Sequence, residues 1–190
     1  SYEGAILADN PKDLISESKK CIQKVLDTRE LIEKNGLDVE VVSVGGTHNY
    51  EIAGAMSGVT EVPAGSYALM DARYAKHRPQ LKNAAKVLAT VISRPEPGLA
   101  LLDVGQKAIS IDTGIPVSAD TPGTKFERAS AEHGFLTLGG DAQKTIDIKS
   151  KVKLIPHDIG NCVNVYDYIH AVRDGKLEVL WDVSARGRYR

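Results

Sequence analysis

A change of pattern near residue 75 constrains the fold of this chain more than any other feature of its sequence. Before that point strand-like and helix-like segments alternate, and after it nearly every apolar run has the pattern of a strand. Alternating strands and helices are typical of parallel α/β sheets and barrels. Short strands separated by turns are typical of antiparallel β structure. We therefore predict an α/β part over residues 1–75 and a β-rich part over residues 76–190.

The α/β part is predicted to begin with a strand over residues 1–7 and a long helix. Asn10 is a typical N-cap, and Pro11 is a typical first helical residue because proline lacks the N–H that would have no partner there. Apolar residues then recur at helical spacing as far as Gly36, a residue type that often ends helices. The chain does not start with methionine, and we expect it to begin partway through a fold.

Two further strands are predicted, over residues 39–44 and 59–62, with a helix from about residue 50 to 56 between them. Each strand is followed by a turn of small residues. The turns are Gly45-Gly46-Thr47 and Gly65-Ser66. Consecutive strands are usually neighbours, and ligands bind at the carboxyl ends of parallel strands. Glycines there let backbone N–H groups approach an anion, and the hydroxyls add donors. The two turns predict a phosphate site; the alternative is a pair of purely structural turns.

The β-rich part contains several strand-like runs and one strong hairpin signal. In the hairpin, residues 169–172 pair with residues 177–181 across Asp174-Gly175, a dipeptide that favours two-residue turns. The other predicted strands cover residues 87–93, 99–104, 108–111 and 152–155.

The composition excludes several classes of partner. The chain has 24 Lys and Arg residues and 25 Asp and Glu residues, interspersed along its length, for a formal net charge of −1. Nucleic acids and anionic membranes both require clustered basic residues, so we expect neither as a partner. No apolar run approaches the length of a membrane span. Two cysteines, Cys21 and Cys162, are too few for a disulfide framework and indicate reduced thiols in a cytoplasmic protein.

Several blocks of the sequence together resemble the D-threonine aldolase and D-serine dehydratase family. They occur in the family's order and span nearly the whole chain, which makes the set more specific than any single motif. The blocks are Val42–Glu51, Gly58–Tyr67, Leu102–Asp112, Ser130–Gly134, Val163–Asp167 and Val172–Lys176. The resemblance implies the C-terminal part of a (β/α)8 barrel of the alanine-racemase-like type, followed by a β domain of the D-serine dehydratase-like type.

The resemblance also implies a cofactor, pyridoxal 5′-phosphate, and assigns its phosphate to the two turns. The implied contacts are Gly46, Thr47, Gly65 and Ser66. Tyr50 is expected near this site, with packing of a helix residue against the barrel as the alternative.

The lysine that carries the cofactor in this family lies on an early barrel strand, and no lysine of this chain matches it. Lys107 belongs to a motif of the β-rich part, where we expect a structural salt bridge. The chain alone is therefore expected to be inactive.

A metal ion and a further histidine complete the implied site. Family members carry His-x-Cys or His-x-Asp before the Val-Asn stretch, where a divalent ion such as Mn, Mg or Zn binds. This chain offers His157, Asp158 and Cys162, at a different spacing, as metal ligands. The alternative is a polar loop with a buried cysteine. His133, in a Glu-His-Gly corner, is a candidate catalytic residue, with a structural role as the alternative.

By resemblance, the intact protein acts on a small β-hydroxy-D-amino acid. In the aldolase reaction the β-hydroxyl loses its proton and the Cα–Cβ bond breaks, giving glycine and an aldehyde. The blocks resemble D-threonine aldolases more closely, which favours this reaction. The alternatives are a deaminating lyase of the D-serine dehydratase type and a catalytically incomplete fragment or binding module, which the missing lysine favours. The expected macromolecular partners are a second copy, in a homodimer, or the missing N-terminal half of the barrel.

Overall fold

The computed structural model describes residues 1–3, 6, 8 and 10–188, which form two compact units. The first comprises Ser1–Ala68 and Tyr74–Lys82, and the second comprises Leu69–Arg73 and Asn83–Arg190. The chain therefore passes between units three times, whereas the sequence predicts one boundary near residue 75. Residues 4, 5 and 7 of the predicted first strand lie outside the described residues, and residues 1–3 and 6 are not in a strand.

The long helix predicted in the first unit is confirmed as α1, Pro11–Lys34. The Asn10 side chain accepts a hydrogen bond from the Lys12 N–H at 2.9 Å and so caps the first turn. Gly36, just beyond the helix, has a φ of +81°, a conformation that glycine adopts readily. One face of the helix is buried, at the residues Leu14, Ser18 and Ile22.

The two strand-like segments of the first unit run in parallel, as predicted, but pair regularly only at one bridge, between Ser43 and Glu61. The Val44 N–H donates to the Glu61 carbonyl, and the Thr60 and Glu61 N–H groups donate to the Val42 carbonyl, each at 3.1 Å. The regular strands are therefore shorter than the sequence predicts.

A small apolar core supports these segments. The helix α2, Tyr50–Gly54, follows the first segment and contributes Ala53 to this core. A 3-10 turn, Ser66–Ala68, follows the second segment, and α3, Ala72–Ala75, comes next along the chain. The buried residues of the core are Ile22, Val42, Val44 and Ala53.

The second unit is built on a six-stranded antiparallel sheet. Its strands are β1 (Val87–Glu96), β2 (Leu99–Leu102), β3 (Val117–Ser118), β4 (Thr124–Ala129), β5 (Gly134–Leu138) and β6 (Lys151–Ile155). Their spatial order is β3-β6-β1-β2-β5-β4. The Thr124 hydroxyl donates to the Ser118 hydroxyl at 2.7 Å, so the edge strands β3 and β4 approach each other and the sheet is nearly closed.

Three short helices, α4 (Gln106–Ile109), α5 (Ala142–Thr145) and α6 (Ile159–Val163), accompany this sheet. They contribute Ile109, Ala142 and Cys162 to a core that also includes Leu102, Leu136 and Leu154 from the strands. Across the described residues, every helix is either too short or too polar to cross a membrane.

The strand predicted over residues 108–111 is wrong. The N–H groups of Ala108 and Ile109 donate to the Gly105 carbonyl at 3.0 and 3.1 Å, which closes the helical turn α4. A short apolar run is compatible with a strand or with a buried helical turn, and its pattern alone does not distinguish them. The sequence also does not indicate β4, because Lys125, Glu127 and Arg128 interrupt its apolar character.

The predicted hairpin is confirmed as β7, Tyr168–Arg173, and β8, Lys176–Asp182. Asp174 and Gly175 join the strands with φ values of +50° and +75°. Two positive φ values are the mark of the type I′ turn, whose twist matches that of a hairpin.

Candidate anion-binding site

The first glycine turn needs glycine at position 45. Gly45 follows the fully buried Val44 and has a φ of +88°. A β-carbon built on Gly45 would lie 2.8 Å from Cβ of Ala53 and 3.1 Å from Cγ1 of Val62. Both the left-handed backbone and the close packing therefore exclude a side chain here.

A hydrogen bond joins the two turns. The Tyr67 N–H, which follows Gly65-Ser66 directly, donates to the Thr47 hydroxyl at 3.1 Å. Thr47 is only 2% exposed. Because the Thr47 hydroxyl accepts this bond, its own hydrogen remains available for an acceptor such as a phosphate oxygen. The structure therefore brings together Thr47 and the turn that contains Gly65 and Ser66.

The first two N–H groups of the first turn already have acceptors. The Gly45 N–H donates to Oε2 of Glu3 at 3.1 Å, and the Gly46 N–H donates to Oδ1 of Asn49 at 2.9 Å. Gly46 stays a predicted phosphate contact, but its N–H already donates to the Asn49 side chain.

Other hydrogen-bond donors of the two turns are available to a ligand. Within the described part of the chain, the N–H groups of Thr47 and Gly65 and the Ser66 hydroxyl donate no hydrogen bond. An N–H beside a side chain as buried as that of Thr47 normally has an acceptor, so an anion fits these donors.

Glu3, Asn49 and Ser18 are residues of this site that sequence reasoning misses. All three are buried, and Nδ2 of Asn49 donates to Oε1 of Glu3 at 2.6 Å and to the Ser18 hydroxyl at 3.2 Å. Glu3 lies 42 residues before Gly45 along the chain, and no periodic pattern links the two positions. Ser18 carries a weak signal, because it lies on the same face of α1 as Leu14 and Ile22.

Tyr50 lies at the start of α2 and faces other polar groups. Its hydroxyl donates to Oε1 of Glu51 at 3.1 Å and accepts from Nε2 of Gln80 at 3.4 Å. The guanidinium of Arg78 lies 5.3 Å from the centre of its ring. These contacts anchor residues 78–80 beside α2, and Tyr50 as a cofactor contact stays a prediction.

His48 is fully buried, and its ring stacks on that of Tyr74 with the ring centres 5.7 Å apart. The Tyr2 hydroxyl lies 3.5 Å from the Tyr74 hydroxyl. His48 and Tyr74 therefore pack together within the first unit, next to the Gly45-Gly46-Thr47 turn. This arrangement indicates a structural role for His48.

In the second unit, the predicted metal ligands have other contacts. The Asp158 carboxylate accepts from the Asn161 N–H at 3.1 Å and caps α6. Burial, together with the Asp158 charge, raises the pKa of the Cys162 thiol to about 12. The His157 ring packs so closely on Gly114 that a β-carbon there would lie 2.5 Å from the ring.

These contacts do not suit a metal site. A thiol with a raised pKa resists the deprotonation that metal binding requires. Among the described residues, no group of three or more His, Cys, Asp or Glu side chains is arranged to hold a metal ion. Metal binding at His157, Asp158 and Cys162 stays a prediction.

His133 and Lys107 lie at the same corner of the second unit. The His133 N–H donates to the Ser130 hydroxyl at 3.2 Å, and the His133 carbonyl accepts from the Ser130 N–H at 2.8 Å. The His133 side chain is exposed. Lys107 forms an exposed ion pair with Glu132, which confirms the salt bridge expected for it.

Known proteins resemble this chain along nearly its whole length. The family described as "Putative serine dehydratase domain" matches residues 84–172. A 3-hydroxy-D-aspartate aldolase of Paracoccus denitrificans (strain Pd 1222) is 33% identical over 198 residues, covering 99% of this chain and 50% of that protein. A D-threonine aldolase of an Arthrobacter species is 33% identical over 162 residues, covering 83% of this chain and 42% of that protein.

A solved structure shares the fold. The D-threonine aldolase from Filomicrobium marinum superposes with a TM-score of 0.91 at 32% identity, over 98% of this chain and 53% of that one. This likeness confirms the predicted fold class, the C-terminal part of a (β/α)8 barrel followed by a β domain. The chain spans about half the length of the curated relatives it matches.

Proposed function

Because this chain belongs to the D-threonine aldolase and D-serine dehydratase family, we propose that it supplies the phosphate-binding turns and the β domain of a pyridoxal-phosphate lyase. The substrates proposed for the whole protein are β-hydroxy-D-amino acids. The observation that carries the proposal is the hydrogen bond from the Tyr67 N–H to the Thr47 hydroxyl, which joins two turns with open donors.

The residues of this chain are proposed to bind and orient the cofactor through its phosphate. The groups that would donate to the phosphate oxygens are the N–H groups of Thr47 and Gly65 and the hydroxyls of Thr47 and Ser66. Hydrogen bonds to an anion are about twice as strong as those between neutral groups. The low exposure of Thr47 strengthens them further, because water competes poorly there.

Pyridoxal phosphate, when bound, stabilises negative charge that develops at the α-carbon of an amino acid. In the proposed reaction, the β-hydroxyl of the substrate loses its proton and the Cα–Cβ bond breaks, which releases an aldehyde. The α-carbon keeps the electron pair of that bond and takes up a proton, which gives glycine. His133 is the proposed proton-transfer residue, because its imidazole is exposed and has no hydrogen-bond partner among the described residues, which leaves its ring nitrogens open to a substrate.

A second candidate is a dehydratase, and the description of the matching family as a serine dehydratase domain favours it. A dehydratase would remove the α-proton and then the β-hydroxyl, giving a keto acid and ammonia. The products of the whole protein decide between the two: D-threonine would give glycine and acetaldehyde with an aldolase, and D-serine would give pyruvate and ammonia with a dehydratase.

The chain alone is proposed to lack activity, since none of its lysines matches the family's cofactor-linked lysine. Its proposed partners are a second copy of the protein or the N-terminal half of the barrel. A cytoplasmic location is proposed from the two free thiols, Cys21 and Cys162.

Calorimetric titration of the chain with pyridoxine 5′-phosphate and with pyridoxine tests the phosphate site. Neither compound has an aldehyde, so surface lysines do not react with them. We expect the phosphorylated compound to bind at least about tenfold more tightly. Inorganic phosphate should compete with it. Equal binding of the two compounds would contradict the proposed function.

A further inference from the structure

The first glycine turn rests on a buried carboxylate. Glu3 is only 8% exposed, and each of its carboxylate oxygens accepts a hydrogen bond. Oε2 accepts from the Gly45 N–H at 3.1 Å, and Oε1 accepts from Nδ2 of Asn49 at 2.6 Å. Burial of a carboxylate is unfavourable unless such bonds compensate it, so the Glu3 side chain and its two donors hold each other in place.

Asn49 extends this network to the second glycine. Its side chain is fully buried, and Oδ1 accepts from the Gly46 N–H at 2.9 Å. Nδ2 donates both to Glu3 and to the Ser18 hydroxyl. Because a carboxylate can only accept, it fixes which end of the Asn49 amide faces Gly46. Glu3 therefore controls two consecutive N–H groups, one directly and one through Asn49.

We infer that Glu3 is a positioning residue for the anion site, acting on the Gly45-Gly46-Thr47 turn without contacting the anion. This inference rests on the proposed phosphate function. Two successive glycines have wide conformational freedom, and the φ of +88° at Gly45 is one of several conformations open to it. The Glu3 and Asn49 bonds select the conformation in which the next N–H, that of Thr47, is left for the anion.

The substitution Glu3→Gln tests this role. The amide keeps the shape of the side chain but places an NH2 group against either the Gly45 N–H or the Asn49 NH2, a contact between two donors. We expect pyridoxine 5′-phosphate and inorganic phosphate both to bind about tenfold more weakly, with pyridoxine unaffected. Glu61→Gln is the matched control, because Glu61 is an exposed carboxylate at the parallel bridge, and it should bind like the wild type.

The double substitution Glu3→Gln with Asn49→Asp tests for rescue. It exchanges the donor and the acceptor of the pair, so that the new amide at position 3 donates to the new carboxylate at position 49. The N–H groups of Gly45 and Gly46 still meet acceptors, and the Ser18 hydroxyl can donate to the new carboxylate, since a hydroxyl is both donor and acceptor. We expect this variant to recover phosphate affinity to within about threefold of the wild type. A double variant that binds no better than Glu3→Gln would overturn the inference.

Amide hydrogen exchange separates this inference from the proposed function. The Gly45 and Gly46 amides should be protected in the wild type, exchange faster in Glu3→Gln and be protected again in the double variant. Unchanged exchange in a folded Glu3→Gln chain would overturn the inference even if phosphate binds. If the wild type shows no preference for the phosphorylated compound, the proposed function fails, and the exchange rates still decide whether Glu3 holds the turn.

Discussion

The Thr47 hydroxyl accepts a hydrogen bond from the Tyr67 N–H at 3.1 Å, across 20 residues of sequence. This bond links the two glycine turns directly, and it uses the hydroxyl only as an acceptor, which leaves its hydrogen free to donate. The same group can therefore hold the second turn in place and donate to an anion between the turns.

Thr47→Val should weaken phosphate binding in a chain that still folds. Valine has nearly the same shape but neither donates nor accepts, so it leaves the Tyr67 N–H without an acceptor and removes one donor to the anion. We expect affinity for pyridoxine 5′-phosphate to fall by about tenfold or more. Thr28→Val, on the exposed face of α1, is the matched control and should bind like the wild type. Equal affinity of both variants would exclude the Thr47 hydroxyl from the site.

Gly45→Ala should destabilise the chain more than Gly36→Ala. Both glycines have positive φ, but a β-carbon at Gly36 would meet nothing within 4 Å, whereas one at Gly45 would lie 2.8 Å from Ala53 Cβ. We expect the free energy of unfolding to fall by about 1 kcal/mol for Gly36→Ala and by about 3 kcal/mol for Gly45→Ala. Urea denaturation measures both values. Similar losses would mean that the turn relaxes around the added methyl group.

Cys162 should make the chain less stable in alkali. Burial, with the Asp158 charge, raises the pKa of its thiol from 9.0 to about 12 in the folded chain. Between about pH 9 and pH 12 the unfolded chain releases a proton that the folded chain retains, so unfolding becomes easier as pH rises. Tyr166, whose pKa burial raises to about 12, adds to the same trend above about pH 10.

Substitutions can show which thiol causes the loss of stability at alkaline pH. Cys162→Ala should reduce the slope of unfolding free energy against pH, while Cys21→Ala, which removes a half-exposed thiol from α1, should keep the wild-type slope. Urea denaturation between pH 8 and about pH 11 measures both slopes. Equal slopes for the two variants would show that the Cys162 thiol does not control this transition.

Lys107→Met should have little effect. Its ion pair with Glu132 is exposed at both ends, with 69% and 60% of the side chains accessible, and such pairs contribute less than about 1 kcal/mol. We expect an unchanged thermal transition to within a few degrees and unchanged affinity for pyridoxine 5′-phosphate. A large loss of affinity would connect Lys107 to the cofactor and contradict its role as a surface ion pair.

Local patterns of sequence predict some parts of this molecule well. Asn10 and Gly36 mark the ends of α1, and Asp174-Gly175 marks the hairpin turn, because capping and turn geometry depend on a few adjacent residues. The pairing of the two glycine turns also follows from local information, since each turn ends a strand and consecutive strands tend to be neighbours.

The polar network behind the turn depends on contacts that are distant in sequence. Glu3 meets Gly45 across 42 residues and Asn49 across 46, and a single buried glutamate has no periodicity to reveal it. Residues 108–111 show a different limit of prediction from sequence. Their apolar character indicates burial, but hydrogen bonds to the Gly105 carbonyl, rather than the pattern, decide that Ala108 and Ile109 belong to a helical turn.

The threefold passage of the chain between its two units has a consequence for how this protein can be divided. Residues 69–73 belong to the second unit, where the Ala72 and Arg73 N–H groups donate to the carbonyls of Pro156 and His157 at 2.9 and 3.2 Å. The next segment, Tyr74–Lys82, belongs again to the first. No single cut of the polypeptide yields both units intact, so one crossover between two relatives would leave at least one unit assembled from residues of both parents.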